Sequence, residues 1–406
     1  MIEIAIATSL IHPNLFGTAW AILILVCLAR LVATWSEGPL SGTGGEALRL
    51  WGFAFGPLFL LSAASALSLG LGVGRIEVLE ILAGGAVLAL GLSRFKSAAH
   101  PRFQFVSLAF HQSMVSRGAL IALIAGLLLA LYELLIAGER RAGMVFQPIN
   151  FGIGCGVALL LALFLTEQRS RIFVFSMAAG AIALLLSGSR GPILFFIISA
   201  GLGLWLGRPT GAKGVIAGPL DASGRTKAWL GAAALLGFVA LGVAVAWYRL
   251  RFEAVTGEPS SHGIRWELIR LSLAQIAANP WVGVGADQAG KFFSQFDPPV
   301  GTLNHAHMTV LNLALELGVL GAAAWIWAFG VLAWIFYRKK SSGAAGIGQA
   351  GLSVTVFLFL CSMTQDIMSH AYTRKLIALV VVMLLIAFLS ALNNTVSCKN
   401  PESAPS

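Results

Sequence analysis

Long uninterrupted apolar stretches alternate with short polar connectors along most of the chain. Bounded by charge, Gly or Pro, they fall near 14–35, 50–73, 76–93, 118–136, 151–166, 172–188, 192–207, 228–248, 308–336, 351–369 and 376–392. Such runs suit the roughly 20 helical residues that cross a bilayer, and a helix satisfies its own backbone hydrogen bonds in lipid. Barrel strands alternate apolar and polar positions over about 10 residues, whereas 228–248 is apolar on every side. The pattern predicts an all-α integral membrane protein of about 11–12 transmembrane helices. Residues 1–12 and 103–116 are apolar enough to lie at the interface or to complete a further span.

One connector, 249–307, is long enough to fold by itself. Within it 264–278 reads as a helix with Ile264, Leu268, Leu271 and Ile276 on or near one face. Asn279 and Pro280 end that helix, and the stretch to Gly285 is a breaker. The expected layout is membrane helices over 1–248, a loop over 249–307, membrane helices over 308–392 and a disordered polar tail over 393–406.

Composition closes off other classes. Of 406 residues, 58% are hydrophobic and 11% charged, against about 25% charged in a soluble domain. The formal charge of +10 suggests an anionic partner such as nucleic acid until the basic residues are located. They sit at span ends, and one set of alternate connectors, including 94–102, 208–227 and 338–340, is much richer in Lys and Arg than the other. By the positive-inside bias that set is cytoplasmic and the long loop faces outward, with no nucleic-acid partner expected. The loop's own basic and acidic residues balance, so anion recognition there depends on individual arginines. Cys27, Cys155, Cys361 and Cys398 have no paired spacing, which predicts neither disulfides nor a Cys metal site. Glu3 precedes the first basic residue, Arg30, so the first apolar segment is expected to stay as an anchor.

Three constellations can carry chemistry. Ser187-Gly188-Ser189-Arg190-Gly191-Pro192 lies between two spans, and Pro with a preceding Ser predicts a helix starting near 192. A helix N-terminus beside an arginine suits phosphate; the plainer reading is a cation reaching lipid headgroups. Arg265 and Arg270 lie about 140° apart on the loop helix, and Glu267 is placed to pair with Arg270, leaving Arg265 the freer cation. Asn304-His305-Ala306-His307-Met308 precedes a span that carries Glu316-Leu317-Gly318. Imidazole titrates near neutrality and is the commonest general base, and no third metal ligand lies at suitable spacing. Glu316, inside the membrane if the helix is regular, is either functional or a helix-packing group. His111, His262, His370 and Asp366 read as interfacial polar residues. No Asp-x-Asp pair in the outward segments, P-loop or Gly-x-Ser-x-Gly appears.

These stretches resemble the O-antigen ligase and polymerase superfamily of GT-C type membrane glycosyltransferases. The resemblance covers about 170–335 and rests on Ser-Gly-Ser-Arg190-Gly, on Arg265 with Asn279-Pro280-Trp281-Val282-Gly283-Val284-Gly285, and on His305-Ala306-His307 with Glu316-Leu317-Gly318-Val319-Leu320-Gly321. Met308 stands where the family usually has Asn. The resemblance implies a periplasmic site in a bacterial inner-membrane protein, with no cofactor or metal. It implies transfer of a glycan from undecaprenyl pyrophosphate to a lipid A core hydroxyl. His307, Arg265 and Arg190 would be catalytic, with Arg190, Arg265, His305, Ser189 and Arg270 on the substrates. An O-antigen polymerase is the nearest alternative and a small-anion transporter the remoter one; transporters hold substrate at the bilayer midplane, away from the span ends where these residues lie.

Overall fold

A computed structural model describes residues 2–33, 43–68, 76–97, 104–139, 141–166, 171–206, 261–298, 300–338 and 345–397. Its secondary structure is helical, with no strand among the described residues. The helices are α1 (Ile2–Thr8), α2 (Pro13–Ala33), α3 (Thr43–Ser68), α4 (Ile76–Ser97), α5 (Gln104–Leu135), α6 (Pro148–Leu165), α7 (Arg171–Leu186) and α8 (Arg190–Leu206). After the undescribed stretch come α9 (Ser261–Ala278), α10 (Ala289–Phe293), α11 (Thr309–Arg338), α12 (Ala345–Ser362) and α13 (Ala371–Ser397). Helices occupy every expected span except 228–248, which lies outside the described residues. Five are long and apolar enough to cross a membrane outright, and several shorter apolar helices accompany them. The protein is an all-α membrane protein.

Several boundaries differ from expectation. Residues 104–116 are not a separate element but the first turns of α5, continuous with the expected span. Within the expected segment 1–12, Ile2–Thr8 form the short α1, and Ala5, Ile6 and the following Leu10 are buried against α5. The last helix runs to Ser397 and so takes in the start of the expected polar tail.

Apolar helices of this kind have no polar face to mark their outside, so hydropathy does not say which is central. Packing does. Helix α13 touches α2, α3, α4, α5, α6 and α12, and its residues from Ile377 to Leu389 are buried without interruption. Helix α6 is nearly as enclosed, and Gly156 lets it approach α12 so closely that a Cβ would strike the Phe357 ring. Small residues at such contacts are the usual means of close helix approach in lipid. Arg374 at the head of α13 is tied to Glu80 of α4 at 2.7 Å, and its Nη1 donates to Met368 O at 2.6 Å. Cys27, Cys155 and Cys361 are buried free thiols.

The loop residues have a small core of their own. Leu268 of α9, Ala289 and Phe293 of α10, Val300, Ala306 and the first part of α11 (Leu311, Leu315) form a second buried cluster, with Ile264, Leu271 and Ile276 packed on it. The face predicted for the loop helix is thus the face it buries. This subdomain caps the end of the bundle at which α3 ends, and Ala286 N–H reaches Ser65 Oγ of α3 at 3.0 Å.

Candidate active site

The loop is joined to the bundle at a break in α11. Gly318 has φ 71 and ψ −174, so Thr309–Arg338 is two helical pieces meeting at a kink. A break inside an apolar span exposes carbonyls and N–H groups that lipid cannot satisfy. The turn after α9 supplies their partners: Val284 N–H donates to Leu315 O (2.8 Å), Gly285 N–H to Glu316 O (2.9 Å), and Val319 N–H to Pro280 O (2.8 Å). The two backbones approach so closely that a Cβ on Gly283 (φ 67) would overlap Leu315 O, and one on Gly318 would lie 2.5 Å from Pro280 O. The Asn279–Gly285 and Glu316–Gly321 motifs are therefore two halves of one joint. The regular helix expected through Glu316 is corrected accordingly.

Glu316 is enclosed by protein at the joint. It is 1% exposed, and its carboxylate accepts from Asp287 N–H at 3.2 Å and from Asn312 Nδ2 at 3.2 Å. Asn312 Oδ1 in turn accepts Ala306 N–H at 3.0 Å, between the two loop histidines. On the other side, Thr309 holds the turn that joins α12 to α13: its N–H donates to Gln365 O (3.2 Å), its Oγ1 to Asp366 Oδ1 (3.2 Å), and it accepts Ile367 N–H (2.9 Å). His307 lies between these anchors in the left-handed region, at φ 57. For a residue with a Cβ that conformation costs roughly 1–2 kcal/mol, and such strain persists where neighbours fix it.

Three imidazoles cluster here. The His305 and His307 ring centroids are 4.6 Å apart, and His305 and His370 are 6.2 Å apart. Burial is the largest cause pushing the His307 pKa down to about 4; the His305 and Arg265 charges add to it, and Asp366 opposes them. His370 is lowered for the same first reason, with His305 next. A neutral imidazole at neutral pH is the proton-accepting form, and the Asp366 carboxylate stabilises the imidazolium that forms on accepting one. In Arg265→Ala the His307 midpoint should rise from about 4 without reaching its ordinary value, since burial remains. A ¹⁵N-imidazole NMR titration reads it, and an unmoved midpoint would deny that the guanidinium acts on this ring.

Of the expected arginines, the structure brings Arg265 within electrostatic reach of His307. Arg270 lies on the exposed side of α9, forked onto Glu267 at 2.9 and 2.6 Å. Helix α8 begins at Arg190 and not at 192, so Arg190 itself is in the first turn. Ser189 is buried; its hydroxyl donates to Ser187 O at 3.5 Å, and its carbonyl accepts Ile193 N–H. Gly191 faces Thr364 in the α12–α13 turn that carries Asp366, which puts the Arg190 turn at the same end of the bundle as the histidines. Met308 packs on the loop core.

Sequence reasoning missed Asn312 and read Asp366 and His370 as interfacial polar residues, whereas both stand at the histidine cluster. For Asn312 a signal existed, since it stands one helical turn before Glu316 and is polar inside an apolar run. Asp366 and His370 reach the site only through the packing of α12 and α13. No group of three His, Cys, Asp or Glu able to hold a metal occurs among the described residues.

Fold and site together define a polytopic membrane protein with a polar, histidine-centred site under a folded loop. Residues 175–326 match the family model described as O-antigen ligase, a stretch that holds most of α7, all of α8 to α10, the joint and more than half of α11. No curated protein matches the chain. The match supports an activity of the O-antigen ligase and polymerase type, in a glycosyltransferase-like membrane enzyme.

Proposed function

We propose that the protein is an O-antigen ligase, which moves a preassembled glycan from undecaprenyl pyrophosphate to a hydroxyl of the lipid A core at the periplasmic face of the inner membrane. The observation that carries the reading is the half-buried His307, next to His305 and within electrostatic reach of Arg265, inside the region of the family match. His307 takes the proton of the acceptor hydroxyl, whose oxygen attacks the anomeric carbon. The bond to the pyrophosphate breaks, and the anomeric centre inverts. Charge gathers on the leaving diphosphate, where Arg265 and Arg190 stabilise it. A well-placed donor to such charge is worth on the order of 10²-fold. The guanidinium groups carry that charge without a metal ion.

The same chemistry with a second lipid-linked glycan as acceptor would be polymerisation. Lipopolysaccharide gels of a deletion strain separate the two: loss of a ligase leaves bare core, and loss of a polymerase leaves core bearing a single repeat. Bare core is the expected result.

A further inference from the structure

A hydrogen-bond chain through two buried side chains runs from one residue with unusual backbone, Asp287, to Ala306, the neighbour of another, His307. Among the described residues, the non-glycine positions with positive φ are Gln147, Asp287 and His307. Asp287 (φ 59) gives its N–H to Glu316 Oε2, Asn312 Nδ2 gives to Glu316 Oε1, and Ala306, next to His307, gives its N–H to Asn312 Oδ1. Asn312 and Glu316 are 0% and 1% exposed, so water cannot readily replace a lost partner.

The polarity of this chain allows one arrangement. A backbone N–H stands at each end and can only donate. The carboxylate of Glu316 only accepts, and the Asn312 amide must therefore turn its oxygen to Ala306 and its nitrogen to Glu316. One end belongs to the turn seated in the α11 break; the other fixes the peptide that leads into His307. Ala306 directly precedes His307, so the Asn312 link acts on the base through the backbone of 306–307.

We propose that Asn312 and Glu316 are positioning residues that set the His307 imidazole, and that they do so while the Asn279–Gly285 turn is docked in the helix break. The loop joint and the base are then one mechanical unit: undocking the turn withdraws the Asp287 N–H and loosens the histidine segment. The proposal deepens the ligase reading and rests on His307 being its base.

The test reverses the polarity of the chain. In Glu316→Gln one end of the new amide donates, so one link becomes donor against donor whichever way the amides turn. In Asn312→Asp two carboxylates face each other. In the double variant Asn312→Asp/Glu316→Gln, the carboxylate at 312 accepts from Ala306 N–H and from the amide at 316, and the amide oxygen accepts from Asp287. All links are restored at the original charge. Each single variant should lose about 10- to 100-fold in kcat, as a misplaced catalytic group does, with little change in KM for the donor. The double variant should return to within about threefold of wild type, a coupling that independent packing effects do not produce.

The ¹⁵N signal of His307, assigned by its loss in His307→Gln, gives a readout that needs no substrate. It should move in both singles, return in the double, and move in Gly283→Ala, whose Cβ would strike Leu315 O. An unmoved signal in both singles, or a double variant as impaired as the product of the singles, overturns the proposal. An unmoved signal in Gly283→Ala overturns the link to the docked turn. Should a single variant not fold, the double decides alone: turnover and a His307 signal close to wild type uphold the proposal, and a folded double variant impaired in both overturns it. If wild type transfers no glycan while the His307 signals follow this pattern, the ligase reading falls and the positioning role stands.

Discussion

His307→Ala should abolish glycan transfer, with kcat down by about 10²- to 10⁴-fold, while the protein still inserts and purifies as wild type does. The ring faces a small polar cluster, and its loss leaves the α11 joint untouched: Ala306 N–H keeps Asn312, and Thr309 keeps the 365–367 turn. Alanine tolerates the left-handed backbone at 307 no worse than histidine by more than a few tenths of the roughly 1–2 kcal/mol both incur. Arg265 and Arg190 also remain, so donor binding should persist as transfer disappears. Turnover and donor affinity measured on one preparation separate these effects. Wild-type turnover in the variant would remove His307 from the mechanism.

Gly318→Ala should be among the most damaging single changes away from the histidines. At φ 71 and ψ −174 the backbone occupies a region essentially reserved for glycine, where another residue costs about 1–3 kcal/mol. The added Cβ would also meet Pro280 O and Trp281 C, each at 2.5 Å, and relieving such overpacking costs typically 1–3 kcal/mol more. The turn should leave the break, uncovering the carbonyls of Leu315 and Glu316 that it now satisfies. A fall of several degrees in the thermal midpoint in detergent is expected, with transfer activity lost alongside. Unchanged stability would mean that the two motifs do not hold each other.

Much of the fold was legible because lipid imposes one rule on every span. Charge-bounded apolar runs located helices α2 to α8 and α11 to α13, with ends displaced by several residues and the start of α5 lying at 104 where 118 was expected, and the period of Ile264, Leu268, Leu271 and Ile276 found the buried face of α9. What hydropathy could not carry was lateral order. Helices apolar on all sides give no hint that α13 is the hub, or that the α12–α13 turn delivers Asp366 and His370 to the loop histidines. Glu316 shows the same limit at a single residue. Read along a regular helix it is an intramembrane acid; the left-handed Gly318 two residues later breaks that helix, and the carboxylate becomes an acceptor for the docked turn. The division between Arg265 and Arg270 was legible, because helical spacing and the adjacent Glu267 both bear on it. The start of α8 was displaced because Pro192 was weighted as the first helical residue, whereas the Ser187–Ser189 turn already closes its own hydrogen bonds and lets the helix begin at Arg190.

In the proposed reaction this site moves a glycan from a polyprenyl pyrophosphate to the lipid A core with His307 as base. Purified protein reconstituted with undecaprenyl-pyrophosphate glycan and lipid A core tests it most directly, by following which lipid carries the glycan. The glycan is expected to move to the core with wild type and to stay on its carrier with His307→Ala. Glycan that lengthens on the carrier and never reaches the core, or that reaches the core equally well without His307, would contradict it.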